Sequence, residues 1–186
     1  MNERYTIEEF SRGVSVEEYL ALFHDPEVVS GYCRECSKYG KQWSCPPFDF
    51  DVVERLSKYR NVELIATKII LLDSTIAPSE IGNVLRPERI RLEERLLAME
   101  SRYEGLASTY VGECLHCAKG CCSRLEGKPC RHSNLVRPSL EAYGFDVTKT
   151  ISELFGLTLQ WGTKDSLPEY LILVCALFHN TDKVQW

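Results

Sequence analysis

The sequence lacks the marks of several common protein classes. It has no excess of positive charge: 27 acidic residues outnumber 22 basic ones, the net charge is −5 and the isoelectric point is about 5.5. General nucleic-acid binders are usually basic, so that class is set aside. It has no long apolar run either. The longest, Tyr170 to Phe178, is nine residues, about half of what a membrane-spanning helix needs. The opening MNERYTIEEF has no apolar segment and carries three glutamates, unlike a secretory signal. There is no G-x-G-x-x-G, no P-loop, no H-E-x-x-H and no C-x3-C-x2-C, so no nucleotide cofactor is implied. Repeats and low-complexity tracts are absent as well. The expectation is a cytoplasmic protein with neither nucleic-acid nor membrane partners.

What the chain does have is cysteine, nine in 186 residues. A reducing cytosol disfavours structural disulfides, so clustered cysteines there point to metal binding or redox chemistry. Cys33, Cys36 and Cys45 form one group, Cys114, Cys117, Cys121, Cys122 and Cys130 a second, and Cys175 stands alone in the long apolar run. A lone thiol in such a run reads as a small core hydrophobe.

Hydrophobic periodicity predicts one α+β (mixed α/β) domain over residues 1–186. It has a central sheet of about four strands flanked by helices, and two irregular cysteine-rich metal-binding loops. Ser15 and Glu18 have the form of a capping box before Val16, Tyr19, Leu20 and Phe23, a short helix stopped at Asp25-Pro26. Residues 30–49 read as an irregular loop, and Val52 to Tyr59 as a second short helix. Val62 to Leu72 reads as a central strand. After a polar connection over 76–85, Pro87 is expected at the start of the longest helix, with Leu92, Leu96, Met99 and Tyr103 on one face and an end near Gly105. Leu106 to Val111 reads as a strand, and Ser139 to Tyr143 as one helical turn closed by Gly144. Asp146 caps a helix through Val147, Ile151 and Leu154 that Gly156 closes. Leu157 to Trp161 and Tyr170 to Phe178 are the last two strands, joined by a turn over Gly162 to Pro168.

The first loop is CRECSKYGKQWSCPP, residues 33–47. A C-x2-C pair lets two sulfurs reach one ion or cluster while the intervening amides point at them. A cysteine followed by proline is also found where ferredoxin-type loops leave a cluster. Three cysteines leave a set incomplete, so a fourth donor comes from elsewhere or the metal keeps an open position. The bland reading is a redox pair plus an unrelated Cys45. The second loop, CLHCAKGCCSRLEGKPCR, residues 114–131, holds five cysteines, enough to close a tetrahedral zinc site or a four-iron cluster with one to spare. Adjacent residues of an extended chain point to opposite sides, which leaves Cys121 and Cys122 as alternatives. Lys38 and Lys41 with Arg34, and Lys119, Arg124, Lys128 and Arg131, make both loops basic within an acidic protein, favourable for thiolates. Trp43, Phe48 and Tyr110 are candidates for an apolar shell. His116 and His132 stand beside cysteines as supporting donors, while His24 and His179 read as structural.

Several strings resemble a family of cysteine-rich proteins described as predicted metal-binding proteins, a domain-of-unknown-function family of anaerobic bacteria and archaea. They are Tyr39-Gly40, Trp43-Ser44-Cys45-Pro46-Pro47-Phe48, Cys114-x2-Cys117, Lys128-Pro129-Cys130-Arg131 and Pro138 to Val147. The resemblance implies metal binding and no particular reaction. By distance to Cys130 it matches Cys122 and leaves Cys121 extra. His132-Ser133 stands where the family tends to have proline.

The candidate metal ligands are therefore Cys33, Cys36, Cys45, Cys114, Cys117, Cys121, Cys122 and Cys130. Cysteine-only donors, the Cys-Pro and the resemblance favour an iron–sulfur cluster (4Fe-4S) in the second loop, with a second metal site or cluster in the first. Electron transfer or activation of a redox or enzyme partner would follow. The alternatives are a zinc-stabilised binding module and a cluster-dependent enzyme with an open metal position, for which the first loop itself offers only Glu35, Arg34, Lys38 and Lys41. A surplus cysteine is either a spare, exposed thiol or a bridge between the loops, a role the resemblance would give to Cys121.

Overall fold

Two β-branched and aliphatic runs form the centre of the sheet, β2 (Asn61–Leu71) and β4 (Tyr170–His179), paired antiparallel with Ile65 opposite Cys175. The structure, a computed structural model, describes residues 4–73, 75–163 and 165–186. Outside β2 lies β1 (Tyr5–Ser15), and outside β4 lies β3 (Leu106–Ser108), giving the all-antiparallel order β1-β2-β4-β3.

Alternation along the strands feeds two separate cores. Val62, Leu64 and Ala66 of β2 and Val174, Ala176 and Phe178 of β4 face one way, and Ile65, Ile69, Leu173 and Cys175 face the other. The first face is covered by α1 (Val16–Phe23) and α5 (Val147–Phe155) through Val16, Tyr19, Phe23 and Ile151. The second is covered by α4 (Ile81–Tyr103) through Val84, Leu92 and Leu96. A sheet apolar on both faces explains why its central strands read as continuous hydrophobic runs. Two shorter helices, α2 (Pro26–Glu35) and α3 (Val52–Leu56), complete the α+β domain. Among the described residues no helix is long and apolar enough to cross a membrane.

The expected caps are present. Ser15 accepts from the Glu18 amide at 3.1 Å, Asp146 accepts from the Lys149 amide at 2.8 Å, and Gly156 closes α5 in the left-handed region.

Several elements differ from expectation. The stretch read as a loop from residue 30 begins inside α2: Asp25 caps it by accepting from the Val28 amide at 3.2 Å and Pro26 takes its first position. The Asp-Pro pair that ends one helix thus starts the next. Pro87 lies inside α4, because Ile81, Val84 and Leu85 pack on the core and draw the preceding turns into the helix. Ser139 to Gly144 is a hydrogen-bonded turn rather than a helix, with Gly144 at φ +91°. Leu157–Trp161 is no strand; Leu157 and Leu159 pack against the core, and the Thr158 carbonyl accepts from the Tyr170 hydroxyl at 2.7 Å. The fourth strand is instead β1, whose charged sequence concealed it. Glu8 pairs with Lys68 at 3.4 Å and Glu9 with Arg91 at 2.6 Å. The turn expected over 162–168 includes Lys164, which lies outside the described residues, as do Met1 to Glu3 of the N-terminal segment; Thr163 N donates to the Ser166 carbonyl at 2.8 Å.

Candidate metal centre

The first cysteine group hangs from the end of α2. Cys33 lies in its last turn, and Cys36 closes it by donating its amide to the Cys33 carbonyl at 3.1 Å. Tight turns follow, and Gly40, at φ +69°, donates to the Pro46 carbonyl at 2.9 Å. That closure returns Cys45 toward the helix end. Burial raises the Cys33 thiol pKa, and charge on Cys45, Glu141 and Cys36 raises it further against Arg34. Burial also pushes Cys45 up, opposed by the Ser44 hydroxyl, Lys38 and Arg124, with Cys36 adding to the rise. The three thiols are thus electrostatic neighbours.

The second group begins where the chain leaves β3. Gly112, at φ +132°, lies against Arg89, where a Cβ would stand 2.9 Å from Nη2. Arg89 donates to the Glu113 carbonyl at 2.6 Å and lies 4.5 Å over the Tyr110 ring. Burial raises the Cys114 thiol, a backbone hydrogen bond from His116 opposes it, and Cys117 and Cys130 add to the rise. Arg131 Nη2 lies 3.8 Å from Cys117 Sγ, and the His132 amide donates to Cys130 Sγ at 3.4 Å. Cys122 is half-buried and shares a cleft with Cys114 and Cys117. Cys121 is exposed, its carbonyl accepting from Arg131.

Three side chains stitch the loops together. Arg124 donates to the carbonyls of Gln42 (2.7 Å), Cys45 and Pro47. Gln42 Oε1 accepts from the Cys114 amide at 3.0 Å, and Trp43 Nε1 donates to the Lys128 carbonyl at 3.2 Å. Arg124 also lies 5.1 Å over the Trp43 ring. Trp43 therefore braces the two loops against each other. Phe48 stacks on Phe50 at 4.9 Å and leans toward Tyr143.

Between the loops lies a cavity of about 130 Å³, lined by Cys33, Cys36 and Cys45 from the first and Cys114 from the second. Cys114, rather than Cys121, is the second-loop cysteine that reaches it. Tyr110 lines the same cavity, as do Glu93, His116 and Glu141. His116 Nε2 is 3.3 Å from Glu93 Oε1. His24 instead contacts the Tyr143 carbonyl at 3.0 Å, and His179 the Thr181 hydroxyl at 2.9 Å. Cys175 is fully buried among apolar side chains of β4's second face.

Among the described residues, no three His, Cys, Asp or Glu side chains are arranged as ligands around one ion. The donor chemistry nonetheless fits a thiophilic group: soft sulfur donors, flanking cations, and a backbone N–H directed at sulfur. Sequence reasoning missed Glu93 and Glu141, which come from α4 and the 139–144 turn. The only signal was Glu141's place within the unusual string Pro138 to Val147.

The geometry defines a cysteine-rich α+β protein whose two cysteine loops meet at one cavity. The chain matches the family model described as Predicted metal-binding protein (DUF2284) over residues 22–177, and it belongs to that family. No curated protein and no solved structure matches it.

Proposed function

We propose that this metal-binding protein is an iron–sulfur protein that serves electron transfer or activation of a partner enzyme. A four-iron cluster is held in the second loop by Cys114, Cys117, Cys122 and Cys130, and a second metal site or cluster lies at Cys33, Cys36 and Cys45. The observation that carries this reading is the convergence of both cysteine groups on one region, braced by Arg124, with Cys114 lining the same cavity as the first three. Cysteine-only donors and the Cys45-Pro46 step suit iron–sulfur ligation. Arg131 beside Cys117, and the His132 amide on Cys130, are the kind of contacts that neutralise thiolate charge and set potential.

A cluster would supply one-electron chemistry. The chain's own part is to hold the thiolates and to limit water, with Tyr110 and Phe48 as the apolar wall. Anaerobic purification followed by assay of iron, zinc and acid-labile sulfide tests the proposal. Iron and sulfide in comparable amounts are expected, with visible absorption that bleaches on reduction. Zinc without sulfide would overturn the iron–sulfur reading in favour of a zinc-stabilised module.

A further inference from the structure

The first cysteine group lies beside Glu141, a residue from a distant part of the chain. Glu141 sits in the 139–144 turn, where the Tyr143 amide donates to the Ser139 carbonyl at 3.1 Å. Its backbone carbonyl lies 3.9 Å from Cys33 Sγ, a contact spanning 108 residues of sequence. Glu141 lines the cavity together with Cys33, Cys36 and Cys45.

Glu141 is half-buried as a residue, but its carboxyl oxygen Oε2 is closed to solvent and has no hydrogen-bond partner. Among the described residues no lysine or arginine pairs with it; only its own amide and the Ser139 hydroxyl oppose the cost of burial. A buried carboxyl without a cation is costly, and such groups are neutral, paired or bound to a metal. Cys114 and Glu93 also line the cavity, but Cys114 belongs by sequence to the second cysteine group, and Glu93 already has a partner in His116 Nε2 at 3.3 Å.

We propose that Glu141 is the fourth donor of the first-loop metal site, giving that site three thiolates and one carboxylate. The proposal rests on the reading of Cys33, Cys36 and Cys45 as metal ligands. An oxygen donor is harder than a thiolate and a poorer match for a thiophilic metal, so this corner is the exchangeable one.

Metal and sulfide are counted in the full chain, purified anaerobically, for the wild type, Glu141→Gln, Glu141→Cys, Cys36→Ser and Cys117→Ser. The count does not depend on which metal is bound. Glu141→Gln is expected to lose the share of metal that Cys36→Ser loses, and to keep the share that Cys117→Ser loses. Glu141→Cys is expected to retain the wild-type load with an altered absorption spectrum, because a thiolate replaces the carboxylate. A full load in Glu141→Gln overturns the proposal. Equal losses in Glu141→Gln and Glu141→Cys also overturn it, since they show a structural role only. A full load in Cys36→Ser fails the first-loop reading itself, and is distinguished by occurring at a cysteine.

Discussion

The guanidinium of Arg124 donates to the carbonyl of Gln42 across 82 residues of sequence, and the same fork reaches the carbonyls of Cys45 and Pro47. One side chain of the second loop therefore fixes the backbone of the first. Lysine cannot reproduce this pattern, because its ammonium is a single point rather than a planar fork. Both Arg124→Ala and Arg124→Lys are expected to loosen residues 40–47 by about 1.5–3 kcal/mol, the range for hydrogen bonds to a charged donor. Amide exchange at Gly40 and Cys45 reads this out as an acceleration of about tenfold or more. Unchanged exchange in both variants contradicts the bracing role.

The adjacent cysteines of the second loop divide by exposure, Cys121 outward and Cys122 half-buried beside Cys114 and Cys117. Cys122→Ser is expected to lower bound metal, and Cys121→Ser to leave it at the wild-type level. Metal analysis of the two purified variants decides between this division and a bridging role for Cys121.

Cys175 has no solvent exposure and packs with Ile65, Ile69 and Leu173. Cys175→Ala is expected to cost roughly 1 kcal/mol through the small cavity left behind, with no change in metal content. Metal loss in this variant would sink its assignment as a core thiol.

Tyr19 is fully buried, and its hydroxyl lies 3.0 Å from Thr150 Oγ1. Thr150 donates to the Asp146 carbonyl at 2.8 Å, so the tyrosine is the donor to threonine. Tyr19→Phe removes that bond while keeping the ring stacked on Phe145 at 4.5 Å. The expected cost is about 1 kcal/mol, a fall of about 2–4 °C in Tm for a chain of this size.

His179, at 3% exposure, is held below the ordinary histidine value. Burial is the main cause; the Thr181 backbone opposes it and Arg60 adds to it. Because the folded state resists the proton that the unfolded state accepts, this residue's contribution is complete above about pH 6.5 and declines as pH falls below it. His179→Gln should reduce the loss of stability between pH 7.5 and 5.5, measured by denaturant midpoints. An identical pH slope in wild type and variant rules out the effect.

Much of this architecture is legible in the sequence wherever local chemistry and burial agree. Ser15, Asp146 and Gly156 cap helices as their residue types require, and β2 and β4 declare themselves through apolar runs. Legibility fails where tertiary contacts decide. β1 is an edge strand with mostly exposed side chains, so its glutamates read as a polar terminus. Pro87 marks no helix start because core contacts reach ahead of it. The same limit applies to the site. The two loops are plain in the cysteine spacing, but Glu93 and Glu141 reach the cavity only through the packing of α4 and the turn before α5.

The sheet's outer strands also bear on how copies of this chain avoid one another in a crowded solution. An uncovered strand edge is a template for lateral growth into larger sheets and fibres, which proteins counter with brevity or charge. β3 is three residues long and offers little to copy. β1 is eleven residues long, and along it Glu8, Glu9 and Arg12 place charge where an incoming strand would have to lie. The residues that hide this strand from a reader of the sequence are also those that guard it against templated assembly.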